Sequence, residues 1–524
     1  MDTRATEKRR KGRVPPLWRA ALALAVWGCT DSANPGVVAD PRPTEQRPID
    51  VPPTFGAPPP GGAPAPALRP LEPVPGADVQ LAADAPRYYV DATGNDAALG
   101  SAAAPFASLQ HALELVSSGE IVVRAGTYRE HLVIPPAPRG PDRVLALTGE
   151  PGALLTSVGA APGLHPDLIY LEGVEYVRIT GLTLIGSAPV DDASGIRIFG
   201  SGSNLAILNN EISGLRGQSA MGITVYGSDG AGITDLSIED NFIHDCEPAP
   251  SEALVVNGNV RRFRIARNRV SDVNNIGIDV IAGESWLSSQ LPAQGQLIGN
   301  QVTRANSRYD GSAAGIYVDG ASDITVEKNR VSECDFGIEI GAENPQIRAE
   351  RVLVRDNLVY ANYRGGIIFG GYDQRRGRVT GAQFLHNSLY ANSRPDELTA
   401  QGFEGERNGE FIAQYADDCR AENNIFRAAP GAEEGDDIVA FWGVASLTLD
   451  HNLYFPARLA GAERDQQPMF ADPQFADPEG GDLRLLPSSP AIDAALPAPN
   501  ASDTDADGDA RNPSAPDLGA YERQ

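Results

Sequence analysis

Lysine is almost missing from this chain. Of 524 residues only Lys8, Lys11 and Lys328 are lysine, and arginine carries the remaining positive charge. Acids outnumber bases, 69 Asp and Glu against 43 Lys and Arg, for a formal net charge of −26. A surface of that sign cannot neutralise phosphates, so nucleic acid is excluded as a partner, while cationic partners and metal ions stay admissible. Cysteine is equally scarce. Once Cys29 is set aside with the N-terminal segment, Cys246, Cys334 and Cys419 remain, an odd count that argues against a disulfide framework. The few histidines include no pair at zinc spacing. A phosphate-cradling glycine loop and a Gly-x-Ser-x-Gly elbow are both lacking. Helical periodicity is rare, and no apolar run is long enough to cross a bilayer as a mature helix.

The N-terminus is read as targeting information rather than fold. Residues 1–29 form a signal peptide, with a basic stretch from Lys8 to Arg13 and a short apolar run from Ala20 to Gly28. Val26-Trp27-Gly28-Cys29 resembles a bacterial lipobox. That resemblance implies a lipid on Cys29, contact with a membrane through this lipid only, and a place in the cell envelope; without the lipid, the protein would be secreted. Residues 30–86 are rich in Pro, Ala and Gly and cannot bury enough apolar area to fold, so an extended tether is expected.

The rest of the chain repeats. An Asn, one residue, then an apolar residue recurs at Asn210, Asn241, Asn268, Asn300, Asn329, Asn357, Asn387, Asn424 and Asn452. The spacing is about 27 to 32 residues, with one longer step before Asn424. Ahead of most copies stands a Gly-Ile-x-apolar strand: GIRIF at Gly195, GITVY at Gly222, GIDVI at Gly277, GIYVD at Gly315, GIEIG at Gly337 and GIIFG at Gly366, with ALVVN at Ala253 as a variant. Alternating apolar residues mark short strands. Asn tolerates the left-handed backbone region and can bond its counterpart one coil away, so a ladder of Asn at one turn is expected. Cys246 and Cys334 lie five residues after such an Asn, where other repeats carry Leu215, Val273 or Ala305; they read as small buried apolar residues.

Helix-free repeats of three short strands resemble the right-handed parallel β-helix of the pectate-lyase-like superfamily. The stretch from Tyr88 to Glu130 is similar to the N-terminal module of β-helix polysaccharide lyases, in which a loop leads into a capping helix, here about Pro105 to Val116. DPQFADPEGGDLRLLPSSPAID (472–493) and DLGAYE (517–522) resemble the choice-of-anchor Q tail of exported β-helix proteins. The expectation is an all-β fold. Residues 87–495 form one single-stranded right-handed parallel β-helix of about ten coils with an N-terminal capping helix, 496–524 form an acidic tail closing on it, and the chain is a monomer.

Alternation then says which residues point out of the coil. In Gly-Ile-x-Val-x each x points outward. One outward column runs Arg197, Thr224, Val255, Asp279, Tyr317, Glu339, Ile368, and the next runs Phe199, Tyr226, Asn257, Ile281, Asp319, Gly341, Gly370. Acids gather mid-face at Asp279, Asp319 and Glu339, with Glu343, Tyr372 and Asp373 just beyond the strands. Asp319 and Glu339 sit on adjacent coils with Cα atoms roughly 8 Å apart, a spacing from which either a retaining or an inverting carboxylate pair could be built. The arrangement is similar to that of β-helix β-xylosidases, which implies Asp319 as nucleophile and Glu339 as acid/base. Arg197, Tyr226, Asn257, Tyr317, Glu343, Tyr372 and Asp373 are the expected substrate-binding residues. Asp503, Asp505, Asp507 and Asp509 alternate around Gly508 like a calcium turn, although Ser514 stands where an EF-hand carries Glu. Ca²⁺ is therefore the one cofactor expected. Three functions remain open: hydrolysis of a polysaccharide, calcium-dependent elimination from one, and a non-catalytic adhesin or envelope scaffold.

Overall fold

The computed structural model describes residues 74 and 76–524, apart from 78, 187–188, 310, 346, 372–376, 395–408, 431–437, 443, 445 and 458–460. The signal peptide with Cys29, most of the tether, and Tyr372 and Asp373 lie outside the described residues.

Each repeat winds into one coil with three parallel strands. The Gly-Ile-x-apolar strand starts the coil, a short bend leads to a second strand, and the ladder Asn turns the chain into a third. Strands of the first two faces join in a 24-stranded sheet and those of the third in a 13-stranded sheet. The winding is right-handed and runs for about 12 turns, not ten. The difference lies at the ends: the third-face strands Gly126–Tyr128, Ala153–Thr156 and Met469–Phe470 belong to coils that lack the Asn signature.

The inward residues stack in register. Ile223, Leu254, Ile278, Ile316, Ile338, Ile367 and Phe411 form one column and are fully buried. The motif glycine marks a tight corner: a Cβ on Gly277 would stand 2.6 Å from the Gly315 carbonyl oxygen, and one on Gly337 2.6 Å from that of Gly366. Any side chain there would collide with the backbone one coil away.

The Asn ladder is continuous from Asn210 to Asn452. Each Oδ1 accepts both the backbone N–H and the Nδ2 of the preceding ladder Asn, at 3.0 Å for Asn268 onto Asn300, and the last pair of donors is taken by Asp465. The other Nδ2 hydrogen goes to a carbonyl, as from Asn300 to Ile265 at 2.9 Å. The left-handed residue is the one before the ladder Asn rather than the Asn itself: φ is 58° at Asp240, 53° at Arg267, 56° at Lys328 and 52° at His386. Lys328 is thus one instance of a general turn position. A second ladder, Asn362 to Asn392 to Glu410, runs at the next corner. Cys246, Cys334 and Cys419 are buried free thiols, each pushed up to about 12 by burial.

The N-terminal end carries a helix, Leu109–Leu115, shorter than the expected segment. Its free first-turn amides are met by distant carboxylates: Glu130 accepts from Leu109 and Gln110 at 2.9 Å, and Asp96 accepts from Ala107 and Ser108 just before. From Val74 the expected tether lies against the coils, with Val79 packed on Val144 and Ala206 and the Ala77 N–H on Ser237 Oγ. The tail is fastened to the body. Arg511 pairs with Asp356 at 2.7 Å and with Glu522 at 3.4 Å, all buried, while Leu518, Ala520 and Tyr521 pack with Leu358, Tyr390 and Ile425.

Candidate functional site

Both outward columns exist in the expected register. Asp279 pairs with Tyr317 and Tyr317 with Glu339 in the first column; Asn257 pairs with Ile281, Ile281 with Asp319 and Asp319 with Gly341 in the second. Parallel pairing of identical motifs leaves the strands no other register that keeps every Ile inside. Asp279, Asp319, Glu339, Tyr317 and Glu343 are thereby brought to one region of the first face.

They point out of the coil, yet the central ones are not solvated. Asp279 and Asp319 are each 1 % exposed and Tyr317 is 4 % exposed. Two inter-strand loops cover the face. In the loop after Ile281, Trp286 packs edge-on against Tyr226, ring centroids 5.1 Å apart, and clusters with Leu287 and Val255. In the loop after Ala342, Asn344 Nδ2 reaches back to the Ala282 carbonyl at 2.8 Å, and a Cβ on Gly320 would stand 2.2 Å from Ile347 Cγ2. Glu252, Glu284, Glu339 and Glu343 are half-buried and form the rim of the cluster.

Local contacts hold the cluster in shape. The Glu343 N–H donates to Asp319 Oδ1 at 2.7 Å, and the Tyr317 hydroxyl donates to Glu343 Oε1 at 3.2 Å. The Tyr317 ring leans over Gly341, whose missing side chain makes room: a Cβ there would stand 2.6 Å from the Tyr317 hydroxyl. Trp286 Nε1 donates to Glu284 Oε2 at 3.1 Å. Next to the acids lies an apolar patch of Ala314, Tyr317, Phe336, Ile368 and Ile412, with Arg364 stacked 5.1 Å from the Phe336 ring centroid.

Burial dominates the electrostatics. It holds the carboxyls of Asp279 and Asp319 well above the ordinary range; the next influence on Asp279 is Glu252, and on Asp319 it is Glu343. Glu339 is raised to about 8 by burial and then by Glu343, against the lowering influence of Arg364. Glu252 is also raised to about 8, by burial first. Carboxyls this close share protons or a cation rather than ionising together. A neutral carboxyl can donate a proton at neutral pH, and its ionised neighbour can attack or accept one.

Glu252 was not among the expected site residues. It stands three residues before Val255, a place taken in neighbouring coils by Met221, Ile276, Ala314 and Phe336. An acid in a column whose neighbouring coils carry apolar residues was the available signal. Other expected residues stand apart. Arg197 is three coil steps from Asp279 along its column; it is buried, bonded to Asp167 at 2.8 Å and Asp192 at 3.0 Å, and lies over the Tyr226 ring. In the tail Asp505 is buried and accepts amides from Asp507, Asp509 and Glu522, whereas Asp503, Asp507 and Asp509 are exposed. Among the described residues, no three His, Cys, Asp or Glu side chains are disposed around a common metal position.

Comparison with known proteins places these observations. The family model for a right handed beta helix region matches residues 167–389. "Uncharacterized protein YwoF" of Bacillus subtilis (strain 168) is 31 % identical over 440 residues, covering 77 % of this chain and 91 % of that protein. Similar solved structures include pectate lyase Pel9A, at 16 % identity over 86 % of this chain and 99 % of that one with a TM-score of 0.47. A complex of XylC with xylose is similar at 12 % identity over 84 % of this chain and 98 % of that one, TM-score 0.45. Identity at that level carries no chemistry across to this chain.

Proposed function

The chain belongs to the right-handed β-helix family, and on that premise we propose that it binds a polysaccharide on its first face and hydrolyses it at Asp279, Asp319 and Glu339. The observation that supports this most directly is the gathering of these carboxyls with Glu343 and Glu252 on one outward face beside Tyr226, Trp286 and Tyr317. Trp286, half-buried over Tyr226, offers a ring that can stack on a sugar face, and a carboxyl pair is the working unit of glycoside hydrolysis. Glu339, raised to about 8, keeps its proton at neutral pH and serves as the donor to the glycosidic oxygen. The Glu343 N–H works against the burial that raises Asp319, and in its ionised form Asp319 serves as nucleophile or as base for water. Asp279, raised by burial and then by Glu252 and Asp319, stays protonated beside it.

The test is a panel of plant, algal and bacterial polysaccharides assayed for new reducing ends and for absorbance of unsaturated uronates. Reducing ends without unsaturated product, lost in both Asp319→Asn and Glu339→Gln, is the expected result. Full activity in either variant would remove that residue from the chemistry, and no product on any substrate would leave the face as a binding or scaffold surface. Calcium-assisted elimination is the second reading: the unpartnered buried oxygens Asp279 Oδ1 and Asp319 Oδ2 are of the hard kind that Ca²⁺ takes; unsaturated product dependent on Ca²⁺ would establish it. Attachment through a lipid on Cys29, with residence in the cell envelope, belongs to the same proposal, and processing insensitive to globomycin would count against it.

A further inference from the structure

Among the described residues, three buried oxygens on the first face have no hydrogen-bond partner: Asn257 Oδ1, Asp279 Oδ1 and Asp319 Oδ2. Asn257 is 4 % exposed, and each Asp 1 %. An acceptor buried and left unmade is costly, so three together on one face call for a donor from outside the chain. They lie on three successive coils, Asn257 and Asp319 flanking Ile281 in the second column and Asp279 in the first. Coil spacing and strand rise put their Cα atoms at the corners of a triangle of roughly 8, 8 and 10 Å, which side chains leaning inward can close around one small group.

The missing donor is constrained by its surroundings. The half-buried rim is acidic, through Glu252, Glu284 and Glu343. Of the cations on this face, Arg197 is three coil steps away and engaged by Asp167 and Asp192, and Arg364 stacks on Phe336 at the Glu339 end of the cluster. A saccharide carboxylate would bring further acceptors to oxygens that need a donor. A hydroxyl or an N-acetyl group would supply a single hydrogen and no charge. A primary ammonium supplies three N–H donors and one positive charge, matched to three acceptors of which two are acids. A divalent metal would need several more oxygens, and among the described residues the acids are not disposed around a common metal position. Trp286 and Ile281, both half-buried, offer apolar surface for the ring that carries the amine.

Resting on the saccharide-binding reading of this face, we infer that its substrate class is a glycan with free amino groups, whose ammonium donates to Asn257, Asp279 and Asp319. The test is calorimetric titration of the full chain at neutral pH with a glucosamine hexamer, an N-acetylglucosamine hexamer and a galacturonate hexamer. The glucosamine hexamer is expected to bind about tenfold or more tighter than the acetylated one, and the galacturonate weakest. Asn257→Leu should remove about fivefold of that preference, and Asn257→Asp, which adds charge at the same point, should raise it. Equal affinity for the two glucosamine-type hexamers, preference for galacturonate, or saturable Ca²⁺ binding that Asn257→Leu abolishes would each overturn the inference. Cleavage of a neutral glycan with no preference for amines would overturn it while leaving hydrolysis intact. Amine-selective binding without cleavage of any glycan would uphold it and remove hydrolysis.

Discussion

Glu339→Gln tests the electrostatics of the site without reference to any substrate. The folded-state carboxyl holds its proton to about 8 against an ordinary 4.5, because burial and Glu343 disfavour the anion more than Arg364 favours it. A folded pKa above the unfolded one contributes stability that is fully present below about 4.5 and is lost as pH rises through about 8. Unscreened, a displacement of that size corresponds to about 5 kcal/mol, and partial exposure and relaxation of the half-buried side chain bring it to about 2–4 kcal/mol. Gln cannot ionise, so the variant escapes that loss. It should match the parent within about 1 kcal/mol near pH 5 and exceed it by about 2–4 kcal/mol near pH 9. For a folded body of this length, about 1 kcal/mol moves Tm by about 1 °C, so melting curves at matched scan rate should diverge by about 2–4 °C at pH 9. Glu252, Asp279 and Asp319 keep titrating, so the variant retains a shallower slope of the same sign. A variant less stable than the parent at pH 9, or one whose advantage does not change between pH 5 and 9, would refute the account of a cluster held in its neutral form.

Asn300→Ala removes the acceptor of two Asn268 donors and the donor to the Ile265 carbonyl, and should cost about 2–4 kcal/mol in chemical denaturation; a cost under about 0.5 kcal/mol would mean the ladder is ornamental. Gly341→Ala drives a Cβ against the Tyr317 ring and its bond to Glu343, and should weaken glycan binding about tenfold with Tm little changed; unchanged binding would take Tyr317 out of the site. Arg511→Met leaves Asp356 buried without its partner and should cost about 3–5 kcal/mol, with residues 496–524 cleaved faster by protease; equal melting and cleavage would show that the tail is held by its apolar contacts alone.

The coil architecture was legible in the sequence because everything that sets it is local and periodic. The side-chain period of 2 within Gly-Ile-x-Val-x decides which residue points in, the Asn spacing decides where the third strand begins, and stacking identical coils decides the register. Asp279, Tyr317 and Glu339 therefore share one column and Asn257 and Asp319 the next, as alternation implies. The burial of Cys246 and Cys334 follows from the same alignment, which does not reach Cys419. The end coils escaped because they lack the Asn that reveals the others.

The chemistry of the face was not legible to the same depth. Whether an outward acid is solvated depends on what crosses above it, and the covering groups come from the inter-strand loops, which have no period. Trp286, Asn344 and Ile347 reach back over earlier coils, the last two from more than 60 residues along the chain to the Ala282–Gly283 bend. Glu252 joins the cluster from an irregular position just ahead of its strand. Direction out of the coil is a property of one strand, which neighbouring residues specify. Desolvation is a property of the space above that strand, which remote segments fill, and it separates a row of surface acids from a buried cluster that keeps its protons and leaves Asn257, Asp279 and Asp319 with unpartnered oxygens.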